Sequence, residues 1–557
     1  MSLTLLTSSA VFAEETTSVE TATPSKNLIV LIGDGMGPAQ VTAARNYLMY
    51  NKGINHLTLD SIYVGQATTY ADRGEDGGVI VSGVVTDSAS AGTAFATGHK
   101  TYNAGISVSN EEVSVPFASV IEAAIEEGKA TGLVTTARIT HATPAVYASH
   151  VRNRDNEVAI AAQYLDSNVN VLMGGGKSYF LSREENGRQE KNLINEFQAK
   201  GYTYVTDKAG LNALSTNQDK VLGLFGNSHV AYVPDRTAEV PSLADMTSKA
   251  LDILSQNDNG FAIMIEGGRI DHASHANDFP TTVQEVLDFD AAVKVALDFA
   301  KKDGNTSIVI TADHETGGLS LSRDNIYELN LDLWDKQKNS SEFIAPKLRE
   351  AKTIQEVKQI VADNTWINDL TDEEAAYIMQ GDGSSYAQEG AYNAVVSKRL
   401  LVGWSGHGHS AVDVGVWAYG PIADLVKGQV DNTRIATASA EVIGVDLARA
   451  TANLQAKYIY PKFKITRDGQ VLYPAKDLAE ALGSEVVWNG SNRTAAITNG
   501  SNSISVNLTD KKVVVNGAAS NLALDVDNGK LYLPLEAFNA LTGQNMTWDA
   551  VSERIVK

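Results

Sequence analysis

Several short runs of consecutive apolar residues along the chain end in a cluster of polar side chains and then pass into a helical pattern. Asn27–Ile32 leads into Gly33-Asp34-Gly35-Met36-Gly37, with a helix expected from Pro38, and Thr131–Thr136 leads into Arg138–Pro144. Phe261–Ile265 leads into Glu266–His275, and Ser307–Ile310 into Thr311–Gly318. Asp413–Tyr419 reads as one more buried strand. Apolar runs this continuous belong to strands covered on both faces. Between Phe279 and Lys301 the residues Val283, Val286, Leu287, Val293, Val295 and Leu297 recur at helical spacing. Strands alternating with helices predict an α/β fold: a doubly wound, mostly parallel sheet with helices on both faces. Ligands of such sheets gather at the carboxyl ends of the strands, which is where the polar clusters of this chain fall.

Two stretches break the rhythm. Residues 177–240 and 320–400 are polar and longer than simple connections, so they read as insertions that shape the mouth of a site within a catalytic domain of residues 27–452. After about residue 455 the chain contains no histidine and repeats itself. Leu472-Tyr473-Pro474, Leu478, Gly483, Trp488-Asn489 and Arg493 recur as Tyr532-Leu533-Pro534, Phe538, Gly543, Trp548-Asp549 and Arg554, at an offset of 60 as far as the tryptophans. Each copy predicts a strand, a short amphipathic helix and a strand pair. Residues 465–557 are therefore expected to form a small α+β repeat domain, with 453–464 as its linker.

A chain of 557 residues exceeds one ordinary domain, and 43% hydrophobic with 20% charged residues describes a globular protein. The formal net charge of −22 excludes the basic footprint of nucleic-acid binding. It also means that any anion site must make its own positive field, from metal ions and a few arginines. The absence of cysteine rules out disulfides, thiolate metal sites and a cysteine nucleophile. Residues 4–13, ending in Val11-Phe12-Ala13 before Glu14, read as the tail of a truncated secretory leader within 1–26. That predicts a secreted, periplasmic or cell-surface protein. No run approaches the roughly 18 apolar residues of a membrane span.

Histidines and carboxylates recur in short clusters. In Glu266-Gly-Gly-Arg269-Ile-Asp271-His272-Ala-Ser-His275, Asp271 and His275 are four apart and share one face of a helical turn. Asp313-His314-Glu315 follows a strand, His407-Gly408-His409 precedes one, and Asp34 sits between glycines that let the backbone approach an ion closely. One such pair alone is more commonly a satisfied turn; as a set at strand ends they point to a metal centre. Asp/His ligation without sulfur suits zinc, with hard oxygen ligands left for magnesium. Gly33–Gly37 lacks the spacing of a dinucleotide loop. In Thr86-Asp87-Ser88-Ala89-Ser90-Ala91-Gly92-Thr93 a serine opens a small-residue helix. It is either a nucleophile in the positive field of the helix end or part of a plain N-cap.

In their order along the chain, the motifs G-D-G-M-G, T-D-S-A-S-A, H-A-T-P-A, H-V-R-N-R, E-G-G-R-I-D-H-x-x-H, T-A-D-H-E-T-G-G and G-H-x-x-x-x-D-V closely resemble the alkaline phosphatases, over residues 27 to 450. The resemblance implies phosphomonoester hydrolysis through a phosphoserine at Ser88, with Arg154 clamping the phosphate. It implies a first zinc on Asp271, His275 and His409, a second on Asp34, Asp313 and His314, and magnesium on Asp34, Thr143 and Glu266. His141 and His272 stand where many bacterial members have aspartate and lysine, a pair resembling the animal enzymes. His141 leaves the third ion open to zinc or cobalt, and His272 either reaches phosphate through water or buttresses the ligands. His407 competes with His409, which fits the following Asp413-Val better. His56, His99, His150 and His229 have no such setting and read as structural. The family is usually dimeric. Residues 460–557 resemble the repeated module at the N-terminal end of copper amine oxidases, here without any residue for copper, which suggests a contact with the cell wall or surface. A related two-metal phosphodiesterase or phosphomutase, and a non-catalytic surface-binding protein, are the alternatives.

Overall fold

The computed structural model describes residues 24–73, 75–76, 79–80 and 82–557, with backbone alone at 75–76 and 79–80. The predicted leader therefore lies outside the described residues up to position 23. Ten strands form one sheet: β1 (Asn27–Gly33), β2 (Tyr63–Thr68), β3 (Ala130–Arg138), β4 (Val171–Gly175), β5 (Thr203–Val205), β6 (Val221–Leu224), β7 (Phe261–Gly267), β8 (Thr306–Thr311), β9 (Val414–Tyr419) and β10 (Gly428–Asp431). Their spatial order is β10-β2-β9-β8-β1-β7-β3-β4-β6-β5. Every pairing is parallel except the two made by β9. The central strand β1 is buried at all seven residues, which is why its sequence is apolar without alternation. Helices Leu243–Leu254 and Phe279–Asp303 pack on each other and on β7, while Val120–Glu126 and Thr433–Ile443 form a second layer against the same central strands. The long helix Phe279–Asp303 starts at Asp278, whose side chain accepts from Thr281 N, carries Pro280 in its first turn, and stops at Gly304 with φ 76°.

The stretch 177–240 differs from the expectation of an insertion. It supplies β5 and β6, which extend the sheet in parallel beyond β4. Its strands are only three and four residues long amid polar connections, too short to stand out in the hydrophobic pattern. Within 320–400, the helices Ser341–Glu350, Ile354–Asn364, Asp372–Gln380 and Gln388–Leu400 pack together as a helical layer. Its apolar core of Ile344, Leu348, Val361, Ile378 and Tyr392 meets the main body at Phe279, whose ring lies edge-on to Trp334 at 4.5 Å.

The repeat appears as local symmetry. Strands Gln470–Pro474 and Lys530–Pro534 pair antiparallel with Leu472 opposite Pro534, Tyr473 opposite Leu533 and Pro474 opposite Tyr532. Positions related by the offset of 60 are thus exchanged about one centre, a local two-fold. Each strand feeds a short helix, Ala475–Ala481 or Leu535–Thr542, that buries Leu478 or Phe538 in a shared core. The segment expected as a linker is built into the fold. Tyr458–Pro461 is a strand paired on one side with Arg554–Val556 and on the other with Val113–Ser114 of the catalytic domain.

Candidate active site

Four adjacent parallel strands, β8, β1, β7 and β3, end on the same edge of the sheet, and the turns that follow them carry the site. After β1 comes Asp34, fully buried with no hydrogen-bond partner for either carboxylate oxygen. The chain turns immediately at Gly35, φ 70°, whose N–H donates to Asp313 Oδ1 at 2.9 Å. Asp313 and His314 follow β8, with His314 Nε2 3.1 Å from Asp313 Oδ2 and 3.8 Å from Asp34 Oδ1. Glu266 belongs to β7; its Oε2 accepts from Thr135 Oγ1 and its Oε1 has no partner. The short helix Arg269–His275 then places Asp271 and His275 together, Nε2 to Oδ2 at 3.3 Å. After β3, His141 opens the one-turn helix Ala142–Ala145, and the buried Thr143 hydroxyl has no partner.

Three histidines turn their Nε2 atoms inward. His409 Nδ1 meets the carbonyl of Thr86 at 2.8 Å, so that nitrogen carries the proton and Nε2 is the acceptor. His275 Nδ1 likewise donates to the His407 carbonyl. Thr316 Oγ1 gives its hydrogen to Asp271 and accepts from His314 Nδ1 at 3.2 Å. The three free Nε2 atoms converge: that of His409 is 3.1 Å from that of His275, and His409 stacks on His314 with ring centroids 3.5 Å apart. Tethered Nδ1 and converging Nε2 is the arrangement by which proteins orient histidine toward a metal.

The electrostatics agree. Burial, then the charges of Asp313, Asp271 and Glu266, hold the Asp34 carboxyl well above its ordinary range. Burial pushes Glu266 up to about 7. His275 is pushed up to about 9: burial opposes its charge, but Asp271 outweighs it. Burial, with His314 alongside, pushes His409 down to about 4. Asp34 feels the charge of three other buried carboxylates, a concentration that compensating positive charge would relieve. Ligand atoms within 4.8 Å of one another group as Asp271, His314 and His409; as Asp34, Asp313 and His314; and as Asp34, His141 and Glu266.

Ser88 is the first residue of helix Ser88–Thr97, buried, with Oγ 3.3 Å from His314 Nε2. The cap is Asp87, which accepts from Ser90 N at 3.0 Å. Arg154 Nη1 reaches Asp87 Oδ2 at 3.1 Å, and the arginine holds the Asp87 carboxyl below its usual range although burial works the other way. Arg154 Nη2 lies 3.1 Å from His141 Nε2. Because arginine can only donate, Nε2 of His141 accepts and its Nδ1–H faces Asp34, 3.9 Å away. His272 is half-buried, with a buried and unpartnered Nδ1, its ring 5.3 Å from that of His141.

His407 lies apart from this cluster. Its Nδ1 donates to the His275 carbonyl at 2.7 Å, its Nε2 is 3.4 Å from Asp382, and its ring stacks on Tyr386. Glu315 is likewise used elsewhere, accepting from Gln40, Gly318 and Leu319. One residue was missed from the sequence. His229 stands in the stretch beyond β6, yet its ring is 4.2 Å from His272 and its Nε2 accepts from Arg138 Nη1 at 2.6 Å. Burial pushes His141, His229 and His272 all well below the ordinary histidine range. No local motif marks His229; only the sheet topology brings it there.

Fold and clusters define an α/β protein that gathers groups of metal-binding residues at the carboxyl edge of its sheet. The alkaline phosphatase family model matches residues 25–445, and the copper amine oxidase N-terminal domain model matches residues 454–556. Alkaline phosphatase 3 of Bacillus subtilis is 41% identical over 422 residues, covering 74% of this chain and 87% of that protein. The crystal structure of the cold-active alkaline phosphatase of the psychrophile Shewanella sp. superposes with a TM-score of 0.66 at 36% identity, covering 75% of this chain and 99% of that one. A variant of the alkaline phosphatase TAB5, with magnesium bound in its M3 site, superposes with a TM-score of 0.55 at 28% identity, covering 76% and 99%. The chain belongs to the alkaline phosphatase family.

Proposed function

We propose that the chain hydrolyses phosphomonoesters through a phosphoserine at Ser88, with two zinc ions and one magnesium ion in the buried site. The observation that carries this reading is the position of Ser88 Oγ, 3.3 Å from the histidine shared by two of the three ligand groups. The donor set suits the ions: Asp34, Asp313 and Glu266 belong to the ligand groups and each has a buried oxygen without a hydrogen-bond partner, as has Thr143. Asp271, His275 and His409 would hold one zinc, and Asp34, Asp313 and His314 the other. Asp34, Glu266 and Thr143 offer only oxygens, which suits magnesium, while His141, grouped with Asp34 and Glu266, leaves the ion open to zinc or cobalt. When bound, the zinc pair supplies charge neutralisation for the attacking and leaving oxygens.

The chain's own residues do the rest. Ser88 Oγ bonds to phosphorus as the ester P–O bond breaks; its proton passes to solvent and the leaving oxygen takes one up from solvent, so the alcohol departs. Water then attacks the phosphoserine, the Oγ–P bond breaks, and inorganic phosphate departs with the serine restored. The amides of the first turn lie ahead of the first intrahelical bond, Ala91 N to Asp87 O, and favour the negative charge that builds there. Arg154 takes two non-bridging oxygens with its planar fork, oriented by Asp87 and His141. A clamp that needs two free oxygens selects monoesters over diesters.

Export fits the apolar segment before Glu14 and the lack of cysteine; no helix among the described residues is long and apolar enough to cross a membrane. Ser88→Ala, reconstituted with zinc and magnesium, tests the mechanism: turnover of a phosphomonoester should vanish while metal content is unchanged. Full turnover in that variant would overturn it.

A further inference from the structure

The segment that carries Arg154 is also where the C-terminal unit docks. Tyr460 pairs with Ser114 and Pro461 with Val113, so a four-stranded sheet runs across the domain boundary. Val113 is buried and Val115 half-buried in the apolar core of the C-terminal unit, so the catalytic domain completes that core. Arg152, two residues before Arg154, donates from Nη1 to Ser114 Oγ, to the Glu111 carbonyl at 3.1 Å and to the Tyr460 carbonyl at 3.4 Å. Its own carbonyl accepts from Tyr102 Oη at 2.8 Å. On the other side, Asn156 Nδ2 donates to the Val551 carbonyl at 3.3 Å while its Oδ1 caps helix Glu157–Tyr164. Arg154 sits between these two ties, its N–H bonded to the Ala104 carbonyl at 2.8 Å.

We propose that the C-terminal unit positions Arg154: its strand Tyr458–Pro461 and its turn at Val551 hold the 152–156 segment from both ends and so fix where the guanidinium fork points. This rests on Arg154 being the phosphate clamp. Arg152 and Asn156 are positioning residues, acting through Arg154 and not on substrate. Bidentate recognition tolerates misplacement of only about 0.5 Å, and a segment released from two ties exceeds that. Arg154 grips the same oxygens in ester, transition state and product, so loosening it removes uniform binding. The Michaelis constant and the inhibition constant of phosphate should then rise, with kcat little changed.

The test uses the full-length, metal-loaded enzyme. Ile459→Asp puts a charge at a fully buried position of the docking strand and loosens the C-terminal unit. Arg152→Ala cuts the tie with the unit left folded, and keeps the question open to measurement where the first variant is insoluble. For each, KM, kcat and the Ki of inorganic phosphate are measured alone and in an Arg154→Ala background, with hydrogen exchange at 111–116 and 150–156 as the structural readout. The expected result is faster exchange in both segments, KM and Ki up about five- to tenfold, the loss of part of one charge-assisted contact, kcat within about twofold, and no further change when Arg154 is already alanine. Faster exchange with unaltered Ki, or an equal rise in Ki without Arg154, overturns the proposal. An Arg154→Ala enzyme with parental KM and Ki instead sinks the clamp reading beneath it.

Discussion

Alanine at Gly35 puts the geometry of the site under direct strain. Gly35 has φ 70°, and a Cβ there would lie 2.7 Å from Asp271 Cα, 2.8 Å from Asp271 Cβ and 2.9 Å from Thr316 Oγ1. The left-handed conformation costs a side-chain-bearing residue about 1–2 kcal/mol, and overpacking a close-packed site adds about 1–3 kcal/mol. The nearest atom is backbone and cannot rotate aside, so both terms apply and the expected loss is about 2–5 kcal/mol. Strain relieved by moving apart would separate Asp34 from Asp271 and appear as lost metal instead. Urea unfolding together with zinc analysis of Gly35→Ala reads both outcomes. Gly408→Ala is the control, since nothing lies within 4 Å of its Cβ position. A Gly35→Ala enzyme within about 0.5 kcal/mol of the parent, fully metallated and fully active, would refute the reasoning.

Arg154→Lys keeps the charge and loses the planar fork. It should lower kcat/KM roughly ten- to hundredfold, the equivalent of a charge-assisted hydrogen bond of about 1.5–3 kcal/mol, and steady-state kinetics on a monoester checks this. Chelation should make stability fall as pH rises from about 7.5 to about 9. Nearer pH 6.5 the pushed-down His141, His229, His272 and His409 oppose the fall, because the unfolded chain still binds protons on them that the folded chain does not; above about 7.5 they are neutral in both states and add no slope. His275, raised from 6.5 to about 9, keeps its proton in the folded chain after the unfolded chain has lost it. Its contribution, roughly 3 kcal/mol, is complete below 6.5 and lost as pH passes 9. Glu266, raised to about 7, ionises at a cost in the same direction. Melting temperatures with and without chelator should diverge over this range; parallel curves contradict the assignment.

The parts of the site that were legible in the sequence are those where one strand and the turn after it carry the chemistry. The buried run Asn27–Ile32 followed by Asp34 between glycines, and Ser307–Ile310 followed by Asp313-His314, need no tertiary information to place a carboxylate at a strand end. Ser88 was ambiguous because a helix-capping serine and a nucleophilic one look alike in sequence; the structure gives the cap to Asp87 and puts Ser88 Oγ beside His314. The edge strands β5 and β6 escaped notice because three or four residues amid polar loops carry little periodicity. His229 escaped because it is brought to His272 by the sheet, not by its neighbours in sequence. The docking of Tyr458–Pro461 on Val113–Ser114 joins residues more than 340 positions apart and left no local trace beyond a short apolar run that resembles a linker.

The central claim is a covalent phosphate on Ser88, and acid quenching of the metal-loaded enzyme mixed with a phosphomonoester, followed by mass spectrometry of the peptide spanning residues 86–97, tests it most directly. A single phosphoryl group on Ser88, absent from the Ser88→Ala protein and lost on return to alkaline buffer, is the predicted result. A hydrolysing enzyme whose Ser88 peptide is never phosphorylated would contradict the account.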